Sequence, residues 1–442
     1  LRASPSLFIM PPPLLITKLH IPPLRPARVR RARLLAKLQH GQGRTLTLIS
    51  APAGFGKTTL AREWVAERDC AIAWVSLDAH DRPLTSFLAY VITALRQNVA
   101  PTFGETLLSH LDATPQPPMG ALLTEFINQL DSIASPFVLV LDDYHTLDSP
   151  DIDAALTVLI DRQPPQMHLL ITTREDPQLP LARLRARNSL TEIRANDLRF
   201  TPDEAADFFA HAVGLPLDMT DVTTLQARTE GWAVGLHLAA LALQTTLQAH
   251  PPPDSSAFIR AFSGSHRFVL DYLVEEVLDR QPAHIQHFLL STALLDRLCG
   301  ALCDAVLGSA TPSGQAVLEA CEQANLMLIP LDDERRWYRY HHLFGEVLRA
   351  RLTKMHPERV RGLHQRASDW YAQNDLFAEA IHHAQSAHDD ERLCALVERA
   401  WPSMRRTRQE ATFRQWVRAL PDALIRQRPV LSVVCAWVLL DA

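Results

Sequence analysis

The chain has 442 residues, 47% of them hydrophobic and 21% charged, ordinary values for a folded protein of several domains that exclude large-scale disorder. A formal net charge of −5 with a pI of about 6.5 excludes a global field that would draw nucleic acid or an anionic membrane surface. Six cysteines (Cys70, Cys299, Cys303, Cys321, Cys394, Cys435) are scattered without the spacing of a secreted disulfide scaffold and read as reduced core thiols.

Residues 1–24 are proline-rich and read as an extended arm, in which Pro11, Pro12 and Pro13 break any helical signal core. A local basic cluster follows at Arg25, Arg28, Arg30, Arg31 and Arg33. Residues 45–50 (Thr-Leu-Thr-Leu-Ile-Ser) form a short β-branched and apolar run, hence a strand. Residues 51–58 then read Ala-Pro-Ala-Gly-Phe-Gly-Lys-Thr and lead into a helix over 57–68 with Leu60, Trp64 and Val65 on one apolar face. Ala51 stands where the usual pattern has its first glycine, but the Gly-Lys-Thr core is intact. Strand, glycine-rich loop and helix in this order cradle a triphosphate: Gly54 and Gly56 turn backbone N–H groups toward anionic oxygens, and Lys57 brings a cation. Thr58 offers a hydroxyl to Mg²⁺, and the helix N-terminus adds partial positive charge. The loop residues Ala51, Pro52, Ala53, Gly54, Phe55, Gly56, Lys57 and Thr58, with Thr59 behind them, are the predicted ATP/ADP contacts.

Residues 71–78 give a second strand, and Phe87, Leu88, Val91, Ile92 and Leu95 the apolar stripe of a helix. Residues 137–141 (Phe-Val-Leu-Val-Leu) are an uninterrupted apolar run suited to a central parallel strand, ending in Asp142 and Asp143. This is a Walker B pattern: Asp142 is the candidate Mg²⁺ ligand beside Thr58, and Asp143 the candidate catalytic base that works with Lys57 in γ-phosphate hydrolysis. The bland alternative is a strand followed by an acidic turn. Residues 168–172 form another strand, ending in Thr173 and Arg174, and Arg174 is the candidate γ-phosphate sensor; a solvated loop arginine is its alternative. The alternation over 25–198 predicts an α/β P-loop NTPase domain with a parallel sheet.

Around Leu198 the pattern changes. Thr201-Pro202-Asp203-Glu204 supplies an N-cap, a first-turn proline and acidic residues over the helix dipole, predicting a small helical lid over 199–255 closed by a proline-rich linker at 250–256. Helical periodicity from Phe268 to about Leu307, then two short strands at 326–331 and 336–341, predicts a winged-helix domain over 256–354. Its first helix carries Asp271, Glu275, Glu276 and Asp279 where a DNA reader would be basic, so direct DNA contact by this domain is disfavoured. Residues 355–442 pair small and bulky residues as in the start of a tetratricopeptide-like superhelix, which needs further units to bury its face. The apolar run at 430–440 is far short of the ~20 residues that span a bilayer, and the protein is expected in the cytoplasm with no membrane partner. A chain that starts without methionine and stops within a helix reads as a fragment.

The order of phosphate loop, lid, winged helix and helical repeats resembles the signal-transduction ATPases with numerous domains, the STAND class, in its MalT-like branch of LuxR-family transcriptional activators. The motifs that carry the likeness are residues 14–19 leading to Arg31 and Arg33, 51–60, 74–78 (Trp-Val-Ser-Leu-Asp), 141–145 (Leu-Asp-Asp-Tyr-His), 172–174, 231–236 (Gly-Trp-Ala-Val-Gly-Leu) and 340–344 (Tyr-His-His-Leu-Phe). The resemblance implies that His341 contacts the ADP β-phosphate, that Arg31 lies at the start of the nucleotide pocket, and that the lid segment Gly231 to Ala233 packs near adenine. It also implies an inducer-responsive ATP/ADP switch with slow regulatory hydrolysis. A small-molecule or protein inducer would be read by the repeats, the ATP form would self-associate, and DNA would be bound only through a C-terminal domain absent here. Two other readings stay open. One is an AAA-like motor or remodelling ATPase with Arg183, Arg185 or Arg187 as finger, and the other a non-hydrolysing ADP-binding scaffold.

Overall fold

The computed structural model describes residues 14–23, 29–41, 43–111, 118–247, 255–308, 312–406, 410–418 and 420–440. Arg25 and Arg28 of the basic cluster, residues 1–13 of the arm and residues 250–254 of the linker lie outside them. The chain falls into two compact units, Leu1–Ala261 and Phe262–Ala442.

The first unit is built on five parallel strands: β1 (Leu46–Ser50), β2 (Ala71–Ser76), β3 (Phe137–Asp142), β4 (Met167–Thr173) and β5 (Leu190–Arg194). Their order is β2-β3-β4-β1-β5, with Leu48 opposite both Ile171 and Glu192 and Leu139 opposite Leu169. Every residue of β1, β3 and β4 is buried, which explains why these strands read as continuous apolar runs rather than as alternating ones. Placing β4 between β1 and β3 puts the ends of the phosphate-loop strand, the Thr172–Thr173 strand and the Asp142 strand side by side at one edge of the sheet. Helices Leu84–Asn98, Met119–Asp131 and Pro150–Asp161 bury their apolar faces in the core with the sheet.

The segment expected as part of an extended arm departs from that expectation. It forms a 3₁₀ turn, Ile16–Leu19, whose Leu19 joins the core of the α/β layer. The Leu15 N–H donates to the Tyr90 hydroxyl at 3.0 Å, and the Lys18 ammonium is held by Asp81 at 2.8 Å and Asp78 at 2.8 Å. Burial of Leu19 and neutralisation of the largely buried Asp81 carboxylate together fix the segment to the sheet.

The lid consists of helices Pro202–Asp207, Met219–Arg228, Ala233–Leu247 and Ser255–Ala261. Thr201 caps the first, as the sequence predicted, and Glu204 bonds back to the Thr201 N–H to complete a reciprocal pair. Ser255–Ala261 packs on the two preceding helices, with Ser256 bonded to Asp221 at 3.0 Å, so the break in packing falls after Ala261 and not at residue 255.

The second unit opens with helices Arg267–Leu273, Ala283–Thr292, Gly300–Leu307 and Gly314–Gln323, followed by an antiparallel hairpin of β6 (Leu328–Pro330) and β7 (Tyr338–Tyr340). Tyr338 also exchanges two 2.8 Å backbone bonds with Leu298, which extends the wing. Beyond His342–Met355 comes a helical hairpin, Pro357–Gln373 and Phe377–Ser386, with Asp390–Arg406 packed on it. The Nδ1 atoms of His364 and His383 lie 2.8 Å apart between its two helices, and the Tyr371 ring stacks on His383.

Candidate nucleotide-binding site

The loop after β1 satisfies its own carbonyls in a way that leaves its amides for a ligand. Ala51 N–H continues the β1–β4 ladder by donating to Thr173 O at 3.3 Å. The Lys57 ammonium, almost fully buried, donates to Ala51 O at 2.9 Å and Pro52 O at 3.0 Å. Burial is the main reason its pKa falls to about 8, opposed by the Asp143 charge and assisted by that of Arg174. Arg174 itself is half-buried beside this ammonium, and Phe55 is buried while Thr59 faces solvent. Gly56 caps helix Lys57–Ala66 in the left-handed region, φ 82°, with open space where a Cβ would stand.

Asp142 lies at the end of β3 and is 3% exposed. Its Oδ1 accepts two hydroxyl protons, from Thr58 at 2.9 Å and from Thr172 at 2.5 Å. Burial and the neighbouring Asp143 raise its pKa to about 6, while the two hydroxyls hold it down. Asp143 follows with φ 58°, its side chain about half exposed, and its amide donates to the same Thr172 hydroxyl at 3.0 Å. Thr172 therefore ties the two aspartates together.

The lid closes over the loop from the other side. Trp232, fully buried, donates its indole N–H to Ala53 O at 3.0 Å, and Val234 N–H donates to Gly54 O at 3.1 Å. A Cβ on Gly54 would stand 2.7 Å from the Val234 side chain and 2.9 Å from the Trp232 indole nitrogen, and the residue has φ 77°. Only glycine meets both conditions.

Arg31, predicted at the start of the nucleotide pocket, is committed to the lid. Its guanidinium donates to Arg199 O at 2.9 Å and Glu204 at 3.3 Å and lies 4.5 Å from the centre of the Phe200 ring. Burial lowers its pKa to about 10 in spite of Glu204. Of the arginines considered as a motor's finger, Arg183 is paired with Asp161 at 2.6 Å and Arg185 grips Glu192 with two bonds, at 2.6 and 2.9 Å; Arg187 is exposed. His341 belongs to the second unit, where it is buried ahead of helix His342–Met355 and donates its N–H to Met327 O at 2.7 Å. The neighbouring His342 pairs with Glu346 at 3.2 Å. Thr172 escaped selection as a site residue although it sits in a motif that the sequence offered, and Trp232, within the segment expected near adenine, bonds the loop carbonyl of Ala53.

Residues 27–172 match the AAA ATPase domain family, and residues 274–360 match the MalT winged helix domain. The chain joins an ATPase domain to a MalT-type winged helix. It is 35% identical over 412 residues to the serine/threonine-protein kinase PknK of Mycobacterium tuberculosis, covering 92% of this chain and 36% of the relative, and it matches PknK of Mycobacterium bovis equally. The chain thus spans about a third of the length of these curated relatives. Among solved structures, a Walker-type ATPase of Pyrococcus abyssi superposes with a TM-score of 0.50 at 14% identity, over 75% of this chain and 100% of that one. With the five-stranded parallel sheet, this likeness makes the first unit a P-loop NTPase fold. A helical region follows the winged helix.

The site fits a magnesium nucleotide on its own chemistry. It offers a loop with amides to spare, a buried ammonium resting on loop carbonyls, and a buried carboxylate held by two hydroxyls and raised in pKa by burial and by Asp143.

Proposed function

We propose that this chain is the ATP/ADP-controlled switch of a STAND-class, MalT-like regulator, and that it turns over ATP slowly. The observation that carries the reading is the clip between lid and loop: two carbonyls of the phosphate loop, Ala53 and Gly54, accept hydrogen bonds from the lid. A nucleotide that reshapes the loop therefore shifts the lid, and the lid leads by chain connection into the winged helix. The amides of residues 54–58 and Lys57 bind the phosphates, Thr58 and Asp142 hold Mg²⁺, Asp143 orients the attacking water, and Arg174 senses the terminal phosphate. Mg²⁺ supplies charge neutralisation at the transferring phosphoryl group. His341 is assigned as the latch of the ADP form, an inducer read on the helical repeats favours the ATP form, and that form self-associates. A ligand shifts this equilibrium only by its differential affinity for the two forms. DNA contact is assigned to a segment outside these 442 residues.

The kinase name of the PknK relatives does not carry over to this part of the chain, in our reading. The 442 residues contain neither a His-Arg-Asp nor an Asp-Phe-Gly tripeptide, the two that hold the base and the metal in protein kinases. A motor whose turnover is the function is disfavoured by the ion pairs that occupy Arg183 and Arg185. Mass spectrometry of nucleotide released from the purified protein tests the switch. Retained ADP with turnover well below one per second supports it, whereas an empty site with sustained turnover of many per second overturns it in favour of the motor. Turnover unchanged in Asp143→Ala would assign the chain to the scaffold class.

A further inference from the structure

A cavity of about 460 Å³ opens at the amino-terminal edge of the parallel sheet. The first residues of the strands, or residues just before them, line it, whereas the phosphate loop leaves from the carboxyl-terminal edge. The two sites are therefore separated by the length of a strand, roughly 17 Å for five residues.

The cavity is cationic. Arg44, Arg68 and Arg187 reach it from three separate segments, and the one carboxylate in its wall, Asp161, is already engaged by Arg183 at 2.6 Å. Three polar atoms of its lining residues are buried with no hydrogen-bond partner among the described residues, Gln163 Oε1, Arg68 Nε and His168 Nδ1. The Gln163 amide nitrogen is spent on Thr45 O at 3.0 Å and Met167 O at 2.8 Å, so its oxygen is the acceptor left over. The Arg68 guanidinium lies 4.4 Å from the centre of the Trp64 ring, which holds it in place without using its donors. Buried polar atoms left unmet are rare in folded proteins and call for an occupant. His168 belongs to the same wall; it is buried, bonded through Nε2 to the Thr47 hydroxyl at 3.0 Å, and kept neutral by burial and by Arg68.

We propose that this cavity is a second binding site, for a small phosphate-bearing metabolite. Guanidinium groups match the geometry of phosphate oxygens, the unmet Gln163 oxygen accepts a hydroxyl from the same ligand, and the volume falls in the range of small-molecule pockets. A nucleic acid backbone would call for an extended basic face rather than a concave pocket closed by buried polar atoms. The site is independent of the switch reading and of nucleotide at the phosphate loop.

Calorimetric titration of inorganic pyrophosphate into the full chain carrying Lys57→Ala, which silences the phosphate loop, tests the proposal. We expect one binding event, weakened about tenfold or more when either Arg187→Gln or Arg68→Gln is added. Arg187 is exposed, so an unchanged melting temperature in that variant shows that the loss is not a folding defect. Absence of binding, or binding that survives both arginine substitutions, overturns the proposal. So does retention of a random DNA duplex at physiological salt that the same substitutions abolish, since it would assign these arginines to a nucleic acid surface.

Discussion

Thr172→Val is the sharpest probe of how the Asp142 carboxylate is held. The hydroxyl it removes is fully buried, donates to Asp142 at 2.5 Å and accepts the Asp143 N–H at 3.0 Å, and valine fills nearly the same volume. A hydrogen bond to a charged group contributes about 1.5–3 kcal/mol. At about 1.4 kcal/mol per unit, its loss raises the Asp142 pKa by roughly one to two units. The wild-type value of about 6 would thus move to roughly 7–8.

The carboxylate form is the one that can hold Mg²⁺. Mg²⁺-dependent nucleotide affinity of the wild type should therefore rise with pH up to about 6 and then level off, whereas in Thr172→Val it should still be rising at neutral pH. Stability runs in the opposite direction. Because the folded pKa lies above the unfolded value of 3.8, the native state retains a proton that the unfolded chain releases, and stability falls as pH rises between those values. In the variant this fall extends to higher pH, costing about 1–1.4 kcal/mol more at pH 7. Titration of a fluorescent ADP analogue with and without Mg²⁺ across pH 5–9 reads the midpoint, and Thr172→Ser restores the hydroxyl as a control. An unshifted midpoint in the valine variant, or a serine variant that behaves like it, refutes the reasoning.

Trp232→Phe keeps most of the buried ring and removes the N–H to Ala53 O, so it should weaken ADP binding by about fivefold to a hundredfold, corresponding to about 1–3 kcal/mol for an unmet carbonyl. Equilibrium dialysis checks this, and unchanged affinity would sever lid from loop. Arg31→Met should lower the guanidinium-unfolding stability of the first unit by about 1–3 kcal/mol through Glu204, Arg199 and Phe200. Its effect on ADP affinity decides between a lid strut and a direct nucleotide contact. The buried His364–His383 pair has pKa values lowered to about 4 and about 3 by burial, so the unfolded chain binds protons first and stability is lost as pH falls from 6.5 toward 4, by about 1.4 kcal/mol per unit for each proton. His383→Phe should flatten that slope in denaturant melts, and an identical slope would count against it.

The phosphate loop and the Asp142–Asp143 pair were legible because their chemistry is local: glycines, lysine and hydroxyl follow one another, and an all-apolar run marks a strand buried on both faces. The two strands of the wing were legible too, though regular ladder pairing covers only Leu328↔Tyr340 to Pro330↔Tyr338, with single backbone bonds from Leu331 to Trp337 and from His341 to Met327 at its two ends. What the sequence could not reveal depends on distant partners. Thr172 meets Asp142 across 30 positions and Trp232 meets Ala53 across 179, and no periodicity encodes either. The anchoring of Lys18 by Asp81, 63 positions away, likewise turned an apparent arm into part of the core. Arg31 was legible as a special residue, yet the structure shows its guanidinium turned to the lid.

Asp143 shows how the backbone settles what the motif leaves open. Successive residues of a strand face opposite sides of the sheet, so Asp142 and Asp143 in continuous β geometry would be parted. Yet both carboxylates act on the Lys57 ammonium, that of Asp143 more strongly. The strand stops at Asp142, and Asp143 enters the left-handed region at φ 58°, a conformation that costs a non-glycine residue about 1–2 kcal/mol. The bond from its N–H to the Thr172 hydroxyl offsets part of that cost. One buried threonine thus serves both halves of the acidic pair, fixing the charge of Asp142 through its proton and the backbone of Asp143 through its lone pair. Strain of this kind persists where the surrounding structure over-determines it, and here the geometry it secures is a buried carboxylate beside a half-exposed one.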